Sequence, residues 1–476
     1  MKKGKPNPKA NRNITFFLYG IVILFLCMCV RFGYFIQVES ENVINNSYNS
    51  ARLNLFESRV IRGKILAADG TILAETMVGD DGSETRAYPY KDLYAHVLGY
   101  SSLGKSGIES LANYYLLSSH TNPFAKVVRQ LADEKSVGDN VITTLNPMLQ
   151  TVASEALGDR KGAVIALEPD TGKILAMVSK PAFDPNQINE QWESLIQGDQ
   201  AEALLLNRAT QGLYPPGSTF KIITALQYMR EHPGTYHDYR FECDGILEFT
   251  NFKIQCYHQN AHGTENFTEA FANSCNGSFA ALGQEMDLDG LYALSEQLLF
   301  NQEQPLSLPY NKSEYRMKSG APQWEIAQTV IGQGSTLMTP MHNLMLVSSI
   351  ANGGILMKPY LIDRVENTDG EQVKKFMPEQ YGELMVANEA RAMKELLEQV
   401  VAEGTGSALR TEAYSAAGKT GSAEFEKNKE THAWFVGFAP AEHPKIAVCV
   451  LVEEGGSGGK AAAPIARKMF DAYLVP

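Results

Sequence analysis

Cysteine is scarce in this chain, positive charge is in deficit, and internal repeats and low-complexity tracts are missing. There are six cysteines in 476 residues. Cys27 and Cys29 sit near the N-terminus and the others (Cys243, Cys256, Cys275, Cys449) are scattered, which excludes a dense disulfide framework. The net charge of −12 becomes more negative still once the basic N-terminal residues are set aside, and that argues against a nucleic-acid partner. With 44% hydrophobic and 20% charged residues, the composition is that of an ordinary globular protein with room for two or three domains.

What is present starts with a basic flank. Lys2, Lys3, Lys5, Lys9 and Arg12 precede an apolar run without charge from Ile14 to Val30, close to the lower limit of about 17 residues for a membrane span. No small-residue cleavage site follows in VRFGYFIQVES, so the run reads as a retained anchor. Phe32, Tyr34 and Phe35 suit the interfacial aromatic belt. The positive-inside bias places residues 1–13 in the cytoplasm, 14–36 in the membrane and the rest outside the cell.

From 37 to 140 short apolar runs alternate with turn signals. In RGKILAADGTILAE, Asp69-Gly70 separates two strand-like pieces, and a small β-rich or mixed module is expected. The polar EKSVGDN, 134 to 140, reads as a flexible boundary before a second domain, 141–476. There Asn146 caps a helix with Pro147 at its first position, and GAVIALEPDTGKILAMVSK reads as an antiparallel hairpin. The middle, 190 to 410, is dominated by helical patterns. Strand signals return in AAGKTGSAEF, HAWFVGFAP and KIAVCVLVEE, ahead of a terminal helix, PIARKMFDAYL. One hairpin before a helical insertion and three strands after it predict an α+β fold, an antiparallel sheet flanked by helices.

Three short patterns carry chemistry. In YPPGSTFK, residues 214 to 221, Pro215, Pro216 and Gly217 cannot continue a helix, whereas the residues after them can. Ser218 then starts a helix and Lys221 shares its face, a nucleophile beside a base. Alone the pattern is weak, since Ser102 and Lys105 also fit it and serine is a common helix cap. Ser274-Cys275-Asn276 supplies a hydroxyl and an amide, and Lys419-Thr420-Gly421 lies on an expected strand with Ser422 behind it. Ser40 to Asn42 and Ser47 to Asn49 fit S-x-N too, but both precede any S-x-x-K.

The order S-x-x-K, S-x-N, K-T-G is the signature of penicillin-binding proteins and serine β-lactamases. LNRATQGLYPPGSTFK, NSCNGSFA, IGQG, GKTGSAE and AWFVGFAP resemble the transpeptidase module of class B, monofunctional penicillin-binding proteins. RGKILAADGTILA, RAYPY, HVLGY and GKSGIES resemble their pedestal region, notably in short members, although Ala67-Ala68 stand where Asp-Arg or Asp-Asn is often found. The resemblance implies that Ser218 attacks a peptide ending in D-Ala-D-Ala to form an acyl-enzyme. Lys221 would take the proton, its pKa lowered by burial and by the charge of Lys419. Ser274 would relay a proton to the leaving amine and Asn276 would donate to the substrate backbone. Lys419, Thr420 and Ser422 would hold a terminal carboxylate, Gly421 would admit the substrate, and the amides of Ser218 and Ser422 would form an oxyanion hole.

The implied partners are peptidoglycan stem peptides, β-lactams as covalent inhibitors, and a polytopic glycosyltransferase of the shape, elongation, division and sporulation type. No cofactor and no metal are expected. CYHQNAHG mixes zinc-ligand types in Cys256, His258 and His262, but these read as turn and loop histidines. Cys243 and Cys256 flank a hairpin, DGILEFTNFKIQ, and an exported location permits a bridge between them. GGSGGK at 455 to 460 has the glycines of a phosphate loop, but Glu454 stands where the first glycine belongs. The rival activities are a D-alanyl-D-alanine carboxypeptidase, a β-lactamase, for which no deacylating acid motif is seen, and a β-lactam-sensing receptor, for which the short basic tail offers no output domain.

Overall fold

The computed structural model describes residues 8–35, 60–121, 131–132, 134–197, 202–426 and 428–475. The first part of the basic tail, the start of the expected pedestal at 37–59, and the decoys at Ser40 and Ser47 lie outside these residues. The chain divides into two compact units, Met1–Val60 and Ile61–Pro476. The first contains a helix, Pro8–Tyr34. Its Thr15–Tyr34 stretch has a mean hydropathy of 2.2 and is long and apolar enough to cross a membrane.

The second unit is built on a five-stranded antiparallel sheet, in the order Ala417–Ala423, His432–Ala439, Ile446–Val452, Gly162–Leu167, Ile174–Lys180. These are the hairpin and the three later strands that the pattern predicts. The strands HAWFVGFA and IAVCVLV are buried at every position, so both faces of the sheet are covered. Alternate side chains point to opposite faces of a strand, and they do so here. Val164 and Ala166 pack with Leu149, Ile465, Met469 and Phe470 of the helices Pro147–Leu157 and Ala463–Leu474. Ala163, Ile165 and Leu167 belong instead to the core that contains Ile222 and Leu344 of the helices Lys221–Glu231 and Pro340–Ala351. Asn146 caps its helix as expected, its side chain accepting from the Leu149 amide.

A second sheet has six strands, in the order Gln372–Lys375, Ile362–Glu366, Asn140–Thr143, Ile65–Leu66, Ile72–Val78, Glu84–Ala87. The hairpin of RGKILAADGTILAE is present. Two expectations fail in this sheet. The stretch 134–140 is not a flexible boundary: it contains the strand Ser136–Val137 and leads directly into a central strand of the sheet. Its polarity is satisfied internally, because buried Asp139 accepts from the His120 amide at 2.9 Å and donates its own amide to Ser118 O at 2.7 Å. The middle of the chain is also less helical than its pattern suggests. Ile362–Glu366 and Gln372–Lys375 form a hairpin that completes the N-terminal sheet. Residues 240–266 form two small antiparallel pairs, one of them the expected hairpin inside 243–256.

Candidate active site

Ser218 lies in a single turn of 3-10 helix, Gly217–Phe220, that runs into the helix Lys221–Glu231. The turn is wedged between two backbones, and this explains its glycine. Gly217 has φ +52, and a Cβ there would meet Ser422 O at 2.9 Å, while its amide donates to Gly332 O at 2.9 Å. Trp434, fully buried on the second strand, donates from Nε1 to Pro215 O at 3.0 Å and pins the Pro-Pro-Gly segment to the sheet. The Ser218 hydroxyl is half-buried and has no hydrogen-bond partner among the described residues.

Lys221 is fully buried. Its ammonium donates to Ser274 O at 2.7 Å, Ser274 Oγ at 3.2 Å and Asn276 Oδ1 at 2.7 Å. The S-x-N segment is thus folded onto the lysine. Ser274 adopts φ +58, unusual for a side chain other than glycine, and Asn276 is held at its other end by donation from Nδ2 to Gln255 O at 2.9 Å. The amide that the resemblance assigns to the substrate is therefore engaged within the protein here. Burial brings the Lys221 pKa down to about 8, against weaker opposing effects of Cys275, Cys256 and Glu265. Burial is the first cause, as expected, and the two ammonium groups also repel one another. The like-charge effect falls on Lys419, which burial first and Lys221 second push well below the ordinary lysine value.

Lys419 is also fully buried, on the edge strand of the sheet. Its ammonium donates to Thr420 O at 3.2 Å and stands 5.6 Å from the ring centre of Phe271. Lys221 stands 5.3 Å from the ring centre of Phe279, and the two rings are 6.2 Å apart. The ammonium groups thus share one aromatic floor. Thr420 donates to Thr405 Oγ1 at 2.6 Å, and Ser422 Oγ accepts from the Gly458 amide at 3.2 Å. A Cβ on Gly421 would lie 3.2 Å from Pro216 O and from the Thr219 methyl, so this glycine is where the edge strand crosses the serine turn.

The three patterns, far apart in sequence, therefore meet at one place. The decoy pair does not: Ser102 and Lys105 form a surface turn in which the Lys105 amide donates to Ser102 O. Sequence reasoning missed Trp434, Thr405 and Gly458. The glycines of GGSGGK gave a signal that pointed elsewhere. A Cβ on Gly458 would meet Gly421 O and Trp434 O at 2.3 Å each, so those glycines allow a loop to press on the edge of the sheet.

Comparison with known proteins bears on the family and the fold. Residues 162–471 match the penicillin binding protein transpeptidase domain, and residues 62–141 match the penicillin binding protein A dimerisation domain. The chain belongs to the penicillin-binding protein transpeptidase family. Its similarity to the peptidoglycan D,D-transpeptidase PbpA of Mycolicibacterium smegmatis is 34% identity, over 92% of this chain and 94% of that one. The PbpA of Mycobacterium tuberculosis is 32% identical over 97% and 98%. Among solved structures, penicillin-binding protein A from M. tuberculosis as its penicillin G acyl-enzyme complex superposes with a TM-score of 0.78 at 31% identity, covering 87% of this chain and 99% of that one. The D,D-transpeptidase domain of a peptidoglycan glycosyltransferase from Eggerthella lenta gives 0.78 at 32%, covering 87% and 98%. The family's α+β architecture is the one predicted.

Beside the S-x-N segment lie cysteines whose pairing the sequence leaves open. Cys243 and Cys256 are neighbours but unbonded, with their sulfurs 3.7 Å apart. His258 is exposed and stands outside the group, whereas His262 and Cys275 join it.

Proposed function

We propose that this chain is a serine peptidoglycan D,D-transpeptidase. The observation that carries the reading is Lys221, fully buried, bonded only to neutral acceptors of the S-x-N segment and one helical turn from Ser218. A lysine whose pKa is lowered to about 8 is neutral in roughly a tenth of molecules at pH 7, and in that form it can accept a proton. Ser218 Oγ attacks the carbonyl of the penultimate D-Ala and passes its proton to neutral Lys221. The tetrahedral intermediate, its oxyanion held by the amides of Ser218 and Ser422, expels the terminal D-Ala as an amine that regains a proton through Ser274. An acceptor amine then attacks the acyl-enzyme, returning Ser218 and forming the cross-link.

Asn276 positions Lys221 and, once Gln255 releases it, the substrate backbone. Lys419, Thr420 and Ser422 bind the terminal carboxylate, whose negative charge offsets the cost of a buried ammonium. The edge position of Ala417–Ala423 leaves unpaired backbone groups to which an extended peptide can add. We infer that residues 37–140 act as pedestal and 141–476 as the catalytic domain, and that Ile14 to Val30 anchors the chain with its N-terminus in the cytoplasm and its catalytic domain outside. A polytopic glycosyltransferase supplies the glycan strands.

The test is intact mass after exposure to benzylpenicillin, which opens on the nucleophile without loss of atoms. A long-lived adduct of the whole drug is expected on the wild type and none on Ser218→Ala. Rapid loss of the adduct would identify a β-lactamase. Release of D-Ala that an added amine acceptor does not divert into a new peptide bond would identify a carboxypeptidase. An adduct on Ser218→Ala would overturn the assignment of the nucleophile.

A further inference from the structure

The strand Ala417–Ala423 is the edge of the central sheet, yet on the cleft side its backbone groups are already in use on either side of Ser422. Backbone groups two residues apart on a strand face the same edge. Ser422 O faces the serine turn, where a Cβ on Gly217 would come within 2.9 Å of it, so Thr420 and Glu424 face that edge too. Thr420 O accepts from the Lys419 ammonium at 3.2 Å. Glu424 is met by the side chain of Gln333, which lies in the loop between the helices Gln323–Thr329 and Pro340–Ala351. In the orientation its neighbours require, Gln333 Nε2 donates to Glu424 O at 3.1 Å and its Oε1 accepts from the Glu424 amide at 3.1 Å. An added antiparallel strand would make the same pair of bonds.

Gln333 is held in place by the serine turn and its helix. Gly332, at φ +78, accepts from the Gly217 amide at 2.9 Å, and a Cβ on it would meet Gly217 O at 2.0 Å. Val330 O accepts from Thr224 Oγ1 at 2.8 Å, and the Gln333 amide donates to Gln328 O at 2.9 Å. The loop is thus anchored beside the nucleophile before the glutamine reaches across to the strand. Gln333 is half-buried and Glu424 is exposed, so a ligand could reach Glu424 if the glutamine were absent.

We propose that Gln333 is a stop that limits backbone pairing of the donor peptide with the edge strand to Ser422, and so sets which part of the peptide is recognised. The proposal rests on the transpeptidase reading. In that reading the terminal carboxylate lies at Lys419, so the peptide runs antiparallel to the strand and its N-terminal part heads for Glu424. The penultimate D-Ala pairs with Ser422, and the residue two before it comes level with Glu424, where the glutamine fills both sites. From there the peptide must leave the sheet. Backbone recognition is confined to the D-Ala-D-Ala end, and the residues ahead of it are free to vary. Gln333 is a positioning residue, since it acts on the strand and not on a reacting atom.

The experiment uses the full chain in detergent and peptidyl boronic acids, in which boron replaces the carbonyl carbon of the penultimate D-Ala. Ser218 Oγ forms one B–O bond, no heavy-atom bond breaks, and the hydroxyl proton passes to Lys221. Inhibition constants are read from competition with benzylpenicillin acylation, for N-acetyl-D-boroAla and for the same compound with two L-alanines inserted after the acetyl group. The affinity gained by that extension should be at least about fivefold larger in Gln333→Ala than in the wild type, because two backbone sites come free. A merely structural loss would weaken both compounds alike and leave the gain unchanged. N-methylation of the first alanine should change the wild-type constant by less than about twofold, and should remove most of the extra gain in Gln333→Ala. Equal gains in the two proteins, or a wild-type loss of about fivefold or more on methylation, would overturn the stop. If the variant does not fold, the wild-type methylation measurement still decides. Boronates that bind Ser218→Ala as tightly as the wild type would overturn the nucleophile itself, a failure distinct from equal gains.

Discussion

The molecule buries charge in two places and treats it in opposite ways. In the N-terminal region Glu109, fully buried, accepts from Arg62 Nε at 2.6 Å, Arg86 Nε at 2.7 Å and the Tyr88 hydroxyl at 3.1 Å. Arg62 also donates to Asn113 Oδ1 at 2.6 Å. In the cleft Lys221 and Lys419 are as deeply buried, but the acceptors of their hydrogen bonds are all neutral. Burial alone would raise the Glu109 pKa, yet Arg62 and then Arg86 outweigh it and hold the group at about 2. Burial of Lys221 meets no comparable counter-charge and brings its pKa to about 8. A compensated network fixes geometry. Two like charges kept dry lower the stability of the fold and leave a base ready to act. Buried charge by itself therefore does not mark a site; buried charge of one sign does.

The sharpest way to break the contrast is to neutralise one charge in each cluster. Lys221→Met removes the base, and acylation by benzylpenicillin should fall by about 10²–10⁴-fold. Thermal or urea unfolding of the same variant should show stability lower by no more than about 1 kcal/mol, because the lost hydrogen bonds are offset by relief of desolvation. Glu109→Gln should do the reverse. It leaves two buried guanidinium groups short of their counter-charge and should cost about 3–5 kcal/mol of stability, while folded molecules acylate at the wild-type rate. If Lys221→Met proves as destabilising as Glu109→Gln, the cleft is a structural ion site and the contrast is wrong.

A somewhat smaller effect is a difference in pH dependence between the two clusters. Glu109 titrates near 2 when folded and near its ordinary 4.5 when unfolded. Its contribution, roughly 3 kcal/mol, is present above the unfolded value and is lost as pH falls through the folded one. Lys221 titrates near 8 when folded against an ordinary 10.5. Between those values the unfolded chain binds more protons, so stability should rise with pH across that window by a similar amount. Acylation needs neutral Lys221, so its rate should rise with pH and level off above about 8. Urea titrations of the wild type should show an acid limb that Glu109→Gln flattens and an alkaline rise that Lys221→Met removes. A rate independent of pH through this range would count against Lys221 as the base.

Much of this was legible in the sequence, and the boundary of legibility is physical. The serine turn could be read because two prolines and a glycine leave a chain few conformations. The central sheet could be read because HAWFVGFAP and KIAVCVLVEE are nearly continuous apolar runs, which only a doubly covered strand needs. The hairpin at 362–375 was missed because its strands are short and half-polar, and their burial comes from a partner more than two hundred residues away. The stretch 134–140 misled for a related reason, since a polar side chain satisfied by its neighbours looks in sequence like one exposed to water. Cys243 and Cys275 could not be joined to Cys256 and His262 by spacing, because that group is assembled by two strand pairs and a helix cap rather than by a compact motif.

The smallest expected effect concerns glycines chosen for closeness rather than flexibility, one in each region. A Cβ on Gly458 would meet Gly421 O and Trp434 O at 2.3 Å, and one on Gly63 would meet Asp139 O at 2.0 Å. In each case the obstruction is backbone, so it cannot be relieved by a side-chain rotation, and alanine should cost about 1–3 kcal/mol by overpacking. The functional consequences should separate. Gly458 presses on the strand that presents Lys419 to Ser422, and its amide donates to Ser422 Oγ. Gly458→Ala should displace that strand from the serine turn and slow acylation about tenfold in molecules that remain folded, since small misplacements of reacting groups are costly. Gly63 offers its carbonyl to Arg86, at 2.7 Å, and Gly63→Ala should unsettle the compensated network while leaving the acylation rate alone. Paired unfolding curves and single-turnover acylation rates measure both halves, and equal rates in the two variants would show that the edge strand is not held in place by its glycine neighbour.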